Sequence, residues 1–255
     1  MGPLPLPMMA AMSRATHNQD PSPSARLARR LACHQALHDP VGEPRNRLRW
    51  LPELRRWQAQ RLERSFNGFL QDPGTRPAAR FFLNDVYGDH DFSRRDADIA
   101  KVLPMMQGLL PRPLLESVAD GIELGALTQA FDLRMAEALD RLAPTRRRLD
   151  DALYMRAYRA VGLPRLRRHQ IGLIGHVGQG LAAALRMPKV GTLLRLSRLP
   201  AKAAGLAQLQ GFLERGFDAF EQLGDIDGFL GDIDRSERTI SGRLFAGDAD
   251  PFRGD

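Results

Sequence analysis

At 255 residues and 43% hydrophobic content, the chain is long enough to bury the core of one large domain or two small ones. Its single cysteine, Cys33, excludes an internal disulfide and a thiolate zinc site, and fits a reducing, cytoplasmic compartment. The formal net charge is +7, but nearly all the cations are Arg, which a GC-rich genome supplies by default, so the basic balance is weak evidence for nucleic acid.

Residues 1–24 contain Pro, Met and Ser without helical periodicity and lack a basic stretch before their apolar residues. They are expected to form a disordered tail or to follow a start codon placed too early (Met8, Met9 and Met12 come next), and not to be a signal peptide. Pro3 after Gly2 and Leu6 break the myristoylation pattern.

Helical spacing dominates the rest, with almost no alternating stretches. It predicts helices over 26–38, stopped by Pro40, and over 47–71, ended by the turn Asp72-Pro73-Gly74. A motif helix follows over 77–87, with Pro77 early and Gly88 as its stop. Ser93 is an expected N-cap for a helix to Leu110, kinked at Pro104. Further helices are predicted over 113–142, over 145–160 capped by Thr145, over 166–187, near 191–199, and from 201 to 224 resuming through 234. Residues 241–255, rich in Gly and Asp, are expected to be a loose tail. The result is an all-α multi-helix bundle of about eight or nine helices, with a single domain over 25–240. A division near Pro144 is the other organisation.

The densest stretch is Phe81-Phe82-Leu83-Asn84-Asp85-Val86-Tyr87-Gly88, followed by Asp91-Phe92-Ser93-Arg94-Arg95. On a helix its apolar residues cover more than one face, which draws Asp85 and Tyr87 toward the interior. A buried carboxylate costs several kcal/mol unless paired, and Arg80, Arg94 and Arg95 are the nearest cations in sequence. Two roles are open: a structural Asp–Arg–Tyr network, or a pocket lined by Asp85, Tyr87 and an Arg. The stretch resembles the signature of the FFLEELY motif proteins, bacterial helical proteins with no established activity. Phe81, Phe82, Leu83 and Tyr87 match it directly. Asn84 stands at the first of the family's two carboxylates, Asp85 at the second, and Val86 replaces a Leu. An amide does not titrate, so an acid or base role for that first position would be lost here. The resemblance extends from about Trp50 to Glu221, including residues 209–214 (LQGFLE). It implies a helical fold and supplies no substrate, cofactor or catalytic residue.

His169 and His176 lie seven apart on one helix, with Gly172, Gly175 and Gly178 nearby. Close helix packing is one explanation, and a planar cofactor using one His is the other. Asp89, His90 and Asp91 lack a second His at helical spacing, and Glu-x-x-His does not occur, so no metal and no cofactor is expected. Glu116, Asp120 and Glu123 read as a solvated acidic stripe. The apolar run 171–185 is too short to span a bilayer, so no transmembrane segment is expected.

Charge is segregated. Residues 141–202 carry a net +12 and residues 203–255 a net −6. Arg146, Arg147, Arg148, Arg165, Arg167, Arg168, Arg195, Arg198 and Lys202 are candidate contacts for an anionic partner, which could be a protein, a membrane surface or a nucleic acid. The leucines of 189–202 are expected to pack on the bundle, with a membrane-surface helix as the other reading. No nucleophile elbow, Walker A or HExxH motif appears. The functional expectation is a non-enzymatic binding module with a basic face. The alternative is an enzyme or cofactor carrier with a pocket near Asp85, Tyr87, Arg94 and His176.

Overall fold

The computed structural model describes residues 23–86, 101, 112–188 and 190–253. Among the described residues the chain forms eleven α-helices and no strand, an all-α fold. In chain order these are α1 (Pro23–His38), α2 (Trp50–Ser65), α3 (Asn67–Gln71), α4 (Arg76–Phe81), α5 (Arg112–Leu142), α6 (Asp151–Val161), α7 (Pro164–Arg186), α8 (Val190–Leu196), α9 (Arg198–Ala203), α10 (Ala207–Glu221) and α11 (Ile226–Ala246). A 3-10 turn, Pro44–Arg47, precedes α2, and a π-helical turn, Phe82–Val86, follows α4. The tail before residue 23, the helix expected from Ser93 and the Asp89–Asp91 cluster lie outside the described residues.

Among the described residues three apolar clusters hold the bundle, and α5 lines all of them. Leu115, Ala119 and Ile122 meet Leu27 and Leu31 of α1. Leu124 and Leu127 meet an aromatic group that includes Phe66, Phe82, Phe220 and Phe229. Leu133, Met135 and Leu139 meet Trp50, Leu54 and Trp57 of α2, Tyr154 and Tyr158 of α6, and Ile240 and Leu244 of α11. Against α5, α7 runs antiparallel: Ser117 lies beside Gly180, Thr128 accepts from Gln170 Nε2 at 2.9 Å, and Phe131 sits under Arg167.

Several boundaries differ from the sequence expectation, each for a local reason. The helix expected over 47–71 breaks at Phe66, whose buried ring turns into the aromatic cluster just before Asn67 and Gly68, both poor helix formers. The helix expected from Thr145 starts at Asp151, because the Asp150 carboxylate caps the Leu153 N–H at 2.8 Å. Arg49 ties the Ala143 and Arg146 carbonyls, which holds residues 143–149 outside any helix. The helix expected from 201 is interrupted at Gly205, whose φ of +74° suits glycine. The loose tail expected from Ser241 is not found. The stripe Ile240–Leu244 carries α11 to Ala246, Gly247 closes it at φ +79°, and the chain then buries Pro251 and sets Phe252 against Trp57.

Candidate functional site

The motif segment is built around two adjacent buried rings. Phe81 ends α4 and lies 5.3 Å from the Phe212 ring of α10, so close to Gly216 that a Cβ there would meet Phe81 Cζ at 2.8 Å. Phe82 opens the π turn and reaches Phe220 and Phe229. The half-buried Asp85 accepts from Arg215 of α10, Nε at 2.8 Å and Nη2 at 2.6 Å. That partner lies 130 positions away in sequence. Arg80 instead stays exposed and lines a groove of about 470 Å³ with Glu63, Leu70, Gln71, Leu83 and Asn84. Neither Asp85 nor His176 is among the groove's lining residues. Tyr87, Arg94 and Arg95 lie outside the described residues.

His176 belongs to another neighbourhood. It is largely exposed and lies 3.7 Å from Asp120 of α5, while His169 Nε2 meets Glu123 Oε1 at 2.7 Å. Arg30 of α1 bridges the same two acids, to Asp120 at 2.8 Å and to Glu123. The stripe read as solvated is therefore a charge seam between α1, α5 and α7, with Glu123 buried. Cys33 is half-buried on α1, and burial followed by the nearby Glu123 pushes its thiol up. The space beside the helix glycines is used for packing. A Cβ at Gly178 would meet Leu230 at 2.4 Å, and one at Gly180 would meet Ser117 at 2.0 Å, whereas Gly175 faces open space.

A second polar spot in the interior involves residues the motif reading passed over. Arg61 of α2 donates two bonds to Glu237 of α11, one from Nη2 at 3.0 Å. Burial opposes the charge on Arg61, but the Glu237 carboxylate outweighs it and holds the guanidinium firmly protonated. Arg167, expected at the surface, is buried with its guanidinium 3.6 Å over the Phe131 ring and 4.9 Å over the Tyr158 ring. Its Nη1 donates to Gln170 at 2.9 Å. Burial pushes the Tyr154 phenol up to about 12, and Tyr158 bonds Ser241 Oγ at 2.8 Å. Asp132 is buried too. Burial raises its pKa, although Arg55, Gln58 and Arg167 oppose the shift. A spacing signal existed: Arg61 stands one turn after Trp57, and Glu237 stands between Ile233 and Ile240 on the buried stripe of α11.

The predicted basic face divides. Arg167 is withdrawn into the core, Arg146 pairs with Asp150 at 2.6 Å, and Arg198 grips Glu214 through two bonds of 2.9 Å. Arg147, Arg148, Arg165, Arg168, Arg195 and Lys202 are exposed, with no ion pair among the described residues. Because α5 and α7 are antiparallel, the group around Arg147 and Arg165 sits at the opposite end from α8 and α9, which continue from the C-terminus of α7.

That far end is unusual. Neither α8 nor α9 contains a buried residue. Leu193, Leu196 and Leu199 are 62%, 70% and 77% exposed, so the packing expected for them is not met. The inner side is fastened to α10: Gln210 Nε2 donates to the Leu194 carbonyl at 2.6 Å, Ser197 Oγ reaches Gln210, and Gly191 lets the Phe217 ring approach. No helix among the described residues is long and apolar enough to cross a membrane.

Comparison with known proteins gives a family: residues 37–251 match the model described as a domain of unknown function, DUF8198. No curated protein and no solved structure matches the chain.

Proposed function

We propose that this chain, which belongs to the DUF8198 family, is a non-enzymatic interaction module that meets an anionic partner through the α8–α9 end of its bundle. One observation carries the reading. Leu193, Leu196 and Leu199, three of the four leucines of the amphipathic pattern, are exposed in the segment that carries Arg195 and Lys202, neither of which has a carboxylate partner among the described residues. Burying an apolar stripe is what normally holds a helix to a bundle, so an arm that leaves its stripe outside is suited to another surface. The motif around Phe81 and Phe82 supports the same reading from inside, since its rings fill core space against α10. The match of Phe81–Tyr87 to the FFLEELY motif proteins, and with it a bacterial, cytoplasmic setting, is part of this proposal.

The test is retention on immobilised heparin at low salt. Binding should fall steeply with salt, and the double charge reversal Arg195→Glu with Lys202→Glu should abolish it. Loss only with Arg147→Glu and Arg148→Glu would move the site to the opposite end. No retention at low salt would end the reading.

A second reading, an enzyme or cofactor carrier with a pocket at the motif, is favoured by the 470 Å³ groove beside Arg80, Asn84 and Glu63. Native mass spectrometry of gently purified protein checks it: an added mass that disappears in Arg80→Ala would support it, and a bare chain mass would count against it.

A further inference from the structure

We infer that the anionic partner of the α8–α9 arm is a lipid bilayer surface, into which Leu193, Leu196 and Leu199 insert while Arg195 and Lys202 meet headgroup phosphates. The inference rests on the interaction reading above and narrows it to one partner.

Four features favour lipid over the other occupants of such a surface. The outward residues combine aliphatic and cationic side chains, the pairing an anionic bilayer takes up through its acyl boundary and its phosphates. A nucleic acid would use the cations but has no use for the leucines, and residues 190–203 carry no aromatic ring on which a base could stack. A second copy of this chain would set Arg195 and Lys202 against like charges. The exposed leucines of two helices of 7 and 6 residues are also far short of the roughly 800 Å² per partner of a stable dimer. A protein groove that takes an amphipathic helix needs anchors at i, i+3, i+4 and i+7 along one continuous helix, and this arm is broken at Ser197 into helices of 7 and 6 residues.

The arm is also held the right way round. Glu214 and Asp218 of α10 act on Arg198, and Gln210 fixes the Leu194 carbonyl, so the acidic and polar contacts lie on the inner side. Insertion would be shallow, because the arm is two short helices and not a spanning segment.

The experiment is co-sedimentation of the full chain with phosphatidylcholine vesicles, with and without phosphatidylglycerol, run beside heparin retention. The expected result is binding to the anionic vesicles only. The combined Leu193→Ser, Leu196→Ser and Leu199→Ser variant should weaken that binding more than about tenfold while heparin retention persists. Arg195→Glu with Lys202→Glu should weaken both, by about fivefold per charge on vesicles. Far-ultraviolet circular dichroism should be unchanged, because the substituted leucines are not buried. Heparin retention without vesicle binding would overturn the lipid inference and leave the interaction reading standing. Failure of both would overturn both. Vesicle binding undiminished in the leucine variant would overturn insertion. A concentration-dependent dimer that the leucine variant abolishes, without vesicle binding, would assign the arm to a second copy and overturn the inference as well.

Discussion

Between α2, α6, α7 and α11 the protein takes arginine inside, while on α8 and α9 it leaves both arginine and leucine outside. In the first region Arg61 is closed onto Glu237 and Arg167 places its guanidinium over aromatic rings. In the second, Leu193, Leu196 and Leu199 share the surface with Arg195. The same residue types serve opposite purposes because of what faces them. A guanidinium can be buried where a carboxylate or ring replaces its water, and a leucine stays exposed where no neighbouring helix covers it. Composition alone does not separate the two cases, but the partner set does.

The contrast can be broken most forcefully at Arg61. Arg61→Ala strands Glu237 in a mostly buried position and is expected to cost about 3–5 kcal/mol. In a chain of this size that lowers the melting temperature by roughly 6–20 degrees. A thermal scan showing a change of only a degree or two would mean the pair is solvated. The next effect compares two glycines on α7. Gly178→Ala drives a Cβ into Leu230 and should destabilise by about 1–3 kcal/mol. Gly175→Ala meets nothing and should stabilise by up to about 1 kcal/mol through helix propensity. Urea titration of both variants reads the difference, and equal signs would remove the packing explanation.

A smaller effect carries pH dependence. Burial raises the Asp132 pKa, so the native state favours the protonated acid. Its stability advantage is complete below the ordinary carboxylate pKa and is lost as pH rises through the raised value. Asp132→Asn keeps an oxygen for the Gln58 amide and removes the buried charge. It should raise the melting temperature by a few degrees at pH 7 and by less at pH 4. A gain that does not change with pH would show that the carboxylate is not ionising in the core. The smallest effect is expected at the motif. Arg215 is 57% exposed, so Asp85→Ala should cost no more than about 1 kcal/mol, checked by the same thermal scan. A loss several times larger would place the Asp85 pair with the buried network and blur the contrast.

Much of the helical architecture was legible from spacing. Both α5 and α7 start and end within two residues of their expected limits, because long periodic stripes between Pro and Gly signals leave little freedom. The partners were not legible. Asp85 meets Arg215 and Arg61 meets Glu237 across 130 and 176 positions, and periodicity gives the face of a helix without naming what lies opposite. The same limit applies to 190–203. The amphipathic pattern was visible, but a stripe looks alike whether a bundle covers it or not. The C-terminal segment misled for a different reason. Its Gly and Asp content suggested a tail, while Leu244 joins the core cluster, Pro251 is buried, and Phe252 packs against the Trp57 and Tyr154 rings.

The lone thiol of α1 has a consequence in time. Cys33 is partly covered, and burial followed by the nearby Glu123 discourages its thiolate, the form that alkylating reagents attack. Its labelling should therefore be slower than that of a free thiol and should quicken wherever α1 loosens from α5, a contact held by Leu27 and Leu31 and by Arg30 on Asp120 and Glu123. The rate at which an alkylating reagent modifies the native protein therefore reports on how tightly that one helix is held, with no engineered probe and only one site to read.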